Sequence, residues 1–75
     1  MEKIKTRRLT RREKEIIRLI SLGLTDKEIS ARLFLSSYTV SDHRRNIKRK
    51  MGCPNAPAVV RRAYEWGVLR VNEYS

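Results

Sequence analysis

Seventy-five residues make at most one small domain. A chain of that length buries only about 60% of the surface its unfolded form exposes, so a deep catalytic cleft is not expected. Apolar residues make up 40% of the chain and charged residues 35%, with 18 Lys and Arg against 8 Asp and Glu, a net charge of +10. That imbalance is the electrostatic footprint of a polyanion binder. No apolar run approaches the ~18 residues of a membrane span, and no secretory apolar segment follows the first residues. The single cysteine, Cys53, cannot form an internal disulfide. Cys53 and His43 are the only Cys and His, and zinc needs three or four ligands. An intracellular protein with no metal and no cofactor is therefore expected. No Gly-rich phosphate loop, catalytic carboxylate pair or nucleophile with a positioned base argues for an enzyme.

The positive charge is concentrated in two blocks. Residues 1–12 carry Lys3, Lys5, Arg7, Arg8, Arg11 and Arg12 against Glu2, a net +5. Residues 43–50 carry Arg44, Arg45, Lys48, Arg49 and Lys50, again +5. One such run would be read as a solvated face. Two of them around an apolar centre repel one another, and a partner that supplies phosphates relieves that repulsion.

Residues 1–8 read as a basic arm, residues 9–69 as a helical domain, and residues 70–75 as a tail without clear period. The first helix starts at Thr10, where Thr10-Arg11-Arg12-Glu13 forms a capping box. Ile16, Ile17, Ile20 and Leu24 recur at helical spacing, Leu9 closes the N-terminal end, and Gly23 stops the helix. Thr25-Asp26-Lys27-Glu28 is a second capping box, followed by the short stripe Ile29, Leu33 and Phe34. A tight turn falls at Leu35-Ser36, with Ser36 a good N-cap for a third helix over Ser37–Met51. After Gly52, Asn55 is the expected N-cap of a fourth helix. Pro57 sits in its first turn, and Val59, Val60, Ala63 and Tyr64 carry it to Gly67. Strand signals are nearly absent, so the fold class is all-α.

At about 100° per residue, Val40, His43, Ile47 and Met51 share one face of the third helix. Tyr38, Asp42, Arg45 and Arg49 occupy the opposite face, with Ser41 and Lys48 on its flank. A thin apolar seam backed by a broad basic face suits the second helix of a helix-turn-helix unit. That helix lies in the major groove of DNA while the preceding helix crosses the backbone. His43, on the seam, is read as a packing residue, and Cys53 as an inert loop residue.

Several stretches resemble the LuxR/GerE-type DNA-binding domain, also found as the output domain of NarL- and FixJ-like response regulators. They are Leu9-Thr10-Arg11-Arg12-Glu13 with Glu15-Ile16; Gly23-Leu24-Thr25-Asp26-Lys27-Glu28-Ile29-Ser30; Leu33-Phe34-Leu35-Ser36; and Thr39-Val40-Ser41-Asp42-His43. Asn46-Ile47, Lys50-Met51-Gly52, and Asn55 followed by Val60-Arg61-Arg62-Ala63 continue the match. It runs over roughly residues 8–69 in order and at family spacing. The resemblance implies a four-helix domain whose third helix reads double-stranded DNA and whose fourth pairs two subunits. It implies base contacts from Ser41, Asp42 and Arg45, and phosphate contacts from Thr39, Lys50, Thr25 and Lys27. The sequence departs from the family pattern at Tyr38, Ser41, Asp42, Cys53 and Pro57.

The helical face adds Tyr38 and Arg49 to the base readers, and Ser36, Arg44 and Lys48 complete the phosphate set. Arg45 can donate two hydrogen bonds to guanine O6 and N7. Asp42 can accept from cytosine N4, exclude wrong sites by repulsion, or orient Arg45 three residues on. Val59, Arg62, Ala63 and Trp66 are the candidate dimer interface, with core cover the other reading of Trp66.

The expected function is a sequence-specific transcriptional regulator on duplex DNA, a homodimer on two half-sites, cytoplasmic and nucleoid-associated. The chain is either a stand-alone regulator, controlled by abundance or by a protein regulator, or an excised output domain. The rival is a protein-interaction module docking another regulator through its fourth helix, with residual DNA binding. A membrane-surface helix is the weakest option, because glycines break the chain into short helices with narrow apolar faces.

Overall fold

The computed structural model describes residues 8–71. Most of the basic arm and residues 72–75 of the tail lie outside the described residues. Four helices follow in order: α1 (Arg11–Ser21), α2 (Asp26–Leu33), α3 (Ser37–Met51) and α4 (Ala56–Glu65). There is no strand among the described residues. The fold is thus all-α, as the periodicity implies, and α3 has the expected bounds.

Each helix begins on a side chain that satisfies amide groups the helix itself cannot. The Thr10 hydroxyl accepts from the Glu13 amide at 3.0 Å and the Glu13 carboxylate accepts from the Thr10 amide at 2.8 Å. Thr25 and Glu28 repeat the arrangement at α2, at 3.1 and 2.8 Å. Ser36 Oγ accepts from the Thr39 amide at α3, and Asn55 Oδ1 from the Ala58 amide at α4.

The helix ends differ from one another. Gly52 ends α3 in the left-handed region at φ 66°. The turn after α2 has no glycine, and Phe34 itself takes that conformation at φ 58°, ψ 42°. Its ring is 94% exposed, so the strain is not offset by burial. Phe34 thus ends the apolar stripe of α2 as a cap and not as a packing residue, because its backbone turns the ring outward.

α1 packs on α2, α3 and α4, while α3 packs on α2 and α4. Their shared core holds Ile16, Ile17, Ile29, Val40, Ile47, Met51 and Val59, all essentially inaccessible to water. Three residues outside the helices join it, the first being Leu9, just before α1. Cys53, in the loop before α4, is buried, and so is Leu69 in the segment after α4. Val68 and Leu69 both donate to the Ala63 carbonyl, at 2.8 and 3.1 Å, which folds that segment back onto α4.

Candidate nucleic-acid interface

α2, the turn at residues 34–36 and α3 form a helix-turn-helix unit, and ion pairs fix how α3 sits. Asp26, in the first turn of α2, accepts from Arg44 Nη1 at 2.7 Å and from Ser41 Oγ at 3.3 Å. At the other end of α3, Lys50 Nζ donates to both oxygens of the buried Glu13, at 2.8 and 3.0 Å. The same Glu13 carboxylate caps α1, so one group closes the N-terminus of α1 and anchors the last turn of α3. Arg62 Nη1 donates to the Met51 carbonyl at 2.9 Å, capping α3 from α4. A cation at a helix C-terminus also complements the helix dipole.

The core-facing stripe of α3 is Val40, Ile47 and Met51, all buried. His43 lies half-buried beside it. On the opposite face Tyr38, Arg45 and Arg49 are exposed and Asp42 is half-buried, while Ser41 is exposed on its flank. Arg45 Nη1 meets Asp42 Oδ1 at 3.2 Å, with the two side chains 70% and 50% exposed. Of the three roles open to Asp42, the geometry displays the intrahelical one. Arg49 Nη2 donates to Asn46 Oδ1 at 3.2 Å. A shallow cleft lined by Asp26, Ser41, Arg44, Arg45 and Lys48 lies where α2 meets α3.

The residues expected at phosphates divide into two groups. Thr25, Lys27 and Ser36 are exposed, and Thr39 and Lys48 are half-buried. Ser36 Oγ also meets Thr39 Oγ1 at 2.9 Å, so both hydroxyls serve the N-terminus of α3. Arg44 and Lys50, by contrast, are taken up by Asp26 and Glu13. Their cations serve the internal frame of the fold, which residue type and spacing do not reveal.

The expected pairing face on α4 needs correction. Val59 and Ala63 are 1% and 0% exposed and belong to the core, so they cannot meet a second subunit. Trp66 is half-buried and packs against the same core, and Arg62 is exposed with one nitrogen on the Met51 carbonyl. α4 is apolar on two sides, and it is the Val59–Ala63 side that turns inward. The surface left outside includes Pro57, Arg61 and Tyr64.

Glu28 is fully exposed, and its carboxyl is held below the usual carboxylate range by the Thr25 amide and, after it, the Thr25 hydroxyl. No group of three or more His, Cys, Asp or Glu side chains among the described residues could hold a metal ion. No helix among them is long and apolar enough to cross a membrane.

The family model for bacterial regulatory proteins of the luxR family, GerE, matches residues 7–63. Transcriptional regulatory protein MctR of Rhizobium johnstonii is 38% identical over 61 residues, covering 81% of this chain and 28% of MctR. The uncharacterized response regulatory protein YgeK of Escherichia coli K12 is 40% identical over 75 residues, covering 93% of this chain and 51% of YgeK. The crystal structure of response regulator ChrA, from a heme-sensing two-component system, superposes with a TM-score of 0.79 at 33% identity. That match covers 81% of this chain and 30% of ChrA. The chain thus spans between about a quarter and a half of the length of these relatives. Four helices in this order, the helix-turn-helix at α2 and α3, and the family match agree: the chain belongs to the LuxR family of bacterial regulatory proteins.

Proposed function

We propose that the chain is a sequence-specific regulator of transcription that inserts α3 into the major groove of duplex DNA. The observation that carries the reading is the division of α3. Its aliphatic stripe is clamped by α1, α2 and α4, and Arg45 projects from the other side with most of its side chain in water. The groove is about 12 Å wide, enough to admit one helix with such a face outward. Arg45 reads guanine, held in orientation by Asp42. Tyr38, Ser41 and Arg49 contact neighbouring base pairs, and Thr25, Lys27, Ser36, Thr39 and Lys48 lie along the phosphates. Those phosphate contacts position the helix without reading sequence. Two copies occupy two half-sites, and their contact through α4 uses the outer residues Pro57, Arg61 and Tyr64.

Selection from a pool of randomised duplexes at two salt concentrations tests this. A single enriched motif is expected, with affinity falling at a log–log slope of about −0.9 per phosphate contacted. Enrichment of no motif at either concentration overturns the reading. It would favour the view that α4 docks another protein.

A further inference from the structure

Five large apolar side chains are exposed among the described residues: Leu22, Phe34, Tyr38, Tyr64 and Val71. Two of them, Phe34 and Tyr38, flank the turn that leads into α3. Tyr38 lies in the first turn of α3, is 77% exposed, and has no hydrogen-bond partner among the described residues. It shares the outer face with Asp42, Arg45 and Arg49, so one aromatic ring heads a face that is otherwise charged. A ring in that position is no part of the core, and leaving it in water is unfavourable.

We propose that Tyr38 is an apolar base reader, and that its target is the 5-methyl group of a thymine close to the guanine read by Arg45. The inference rests on the DNA-binding reading above and adds to it a base and a position. In the major groove, guanine, cytosine and adenine present donors and acceptors, and only thymine presents a methyl group. An unpaired aromatic ring at the head of a groove helix has one apolar counterpart there. Tyr38 and Arg45 are two helical turns apart on one face, about 10 Å at 1.5 Å per residue. Base pairs stack about 3.4 Å apart along the duplex axis, and the groove path per pair is somewhat longer. The thymine therefore lies about two or three base pairs from the guanine.

The test uses the preferred duplex from the randomised selection. Each thymine is replaced in turn by deoxyuridine, which lacks only the methyl group, and affinity is measured for the native chain, Tyr38→Phe and Tyr38→Ala. One replacement, two or three pairs from the guanine, is expected to weaken the native chain about fourfold, the worth of one buried methyl. Tyr38→Phe should show the same loss at that position. Tyr38→Ala should bind the thymine and uracil duplexes equally, with a circular dichroism melt like that of the native chain. A flat uracil scan overturns the proposal, as does a uracil loss that persists in Tyr38→Ala. A loss of affinity in Tyr38→Phe that is equal on all duplexes would assign the hydroxyl to a phosphate and also overturn it. If site-specific, salt-dependent binding survives any of these results, only the thymine reading falls. If no duplex is preferred at all, both readings fall together.

Discussion

Replacing Lys50 with Met tests the internal frame and the DNA face in one experiment. Lys50 reaches both oxygens of Glu13, and the Glu13 side chain is 5% exposed against 27% for Lys50. Removing one partner of a fully buried pair costs about 3–5 kcal/mol, because a charge is left without compensation. Here Glu13 keeps the Thr10 amide at 2.8 Å, and water can approach from the Lys50 side. A loss of about 2–3 kcal/mol is the reasonable expectation. For a domain of this size that lowers the melting temperature by roughly 10–20 °C. The double variant Lys50→Met with Glu13→Gln removes the orphaned charge while keeping an acceptor for the Thr10 amide, so it should recover most of the loss. Thermal melts by circular dichroism read both changes. A Lys50→Met cost under about 1 kcal/mol would mean that the pair behaves as a surface ion pair, and a double variant no better than the single would remove the buried-charge explanation. The same double variant, once shown to be folded, also measures whether Lys50 touches DNA. The salt slope of duplex binding should be unchanged, whereas a drop of about 0.9 would return Lys50 to the phosphate contacts.

Arg45→Ala should cost about 1–3 kcal/mol on the preferred duplex and far less on random DNA; equal losses on both in a titration would take Arg45 off the bases. Phe34→Gly should stabilise the domain by about 1 kcal/mol, since glycine takes the left-handed region without the Cβ penalty and the exposed ring contributes no burial. A lower melting temperature would show that the ring packs in solution. The Glu28 carboxyl is held below its ordinary 4.5 by Thr25, so its contribution is present above that value and lost as pH falls through the depressed one. Melts of the native chain and Glu28→Gln should differ at neutral pH and converge in acid. A gap that widens on acidification would reverse the sign and refute the capping role.

The parts of this fold that can be read from sequence are those carried by neighbours three or four residues apart. Both capping boxes, the Ser36 and Asn55 caps and the seam of α3 are of that kind, and each is a local hydrogen bond or a helical repeat. Glu13 shows where local reading stops. Its place in the capping box is plain, and its spacing three and four residues before Ile16 and Ile17 puts it on the buried stripe. Its second partner, Lys50, lies 37 residues away and is fixed only by how α1 meets α3. Arg44 and Asp26, 18 residues apart, are hidden for the same reason. Val59 and Ala63 look equally suited to core or partner, because α4 is apolar on two sides and spacing does not say which side turns inward. A consequence is that Val59→Glu would probe the core and not a dimer; Tyr64→Glu, on the outer side, is the suitable variant. Phe34 lacks the glycine that usually marks a left-handed cap, so its conformation has no sequence signal.

The basic block at residues 43–50 is less free than its formal charge implies. Arg44 is held by Asp26, Arg45 by Asp42 and Lys50 by Glu13. These pairs differ in what they do. The Arg44 and Lys50 pairs bridge separate helices and are half-buried or better, so they set the pose of α3. The Arg45 pair lies on the exposed face of a single helix and is worth little to stability, so on the proposed reading a guanine can take over part of it at small cost. Acidic residues thus sort the cations into those that hold the helix and those left exposed, which are the ones proposed above to meet DNA. Removing Asp42 should raise affinity for all duplexes by relieving repulsion, yet loosen Arg45 and narrow the gap between preferred and random sites. On the proposed reading, an acid on a face whose neighbours are arginines exchanges general attraction for choice among sites.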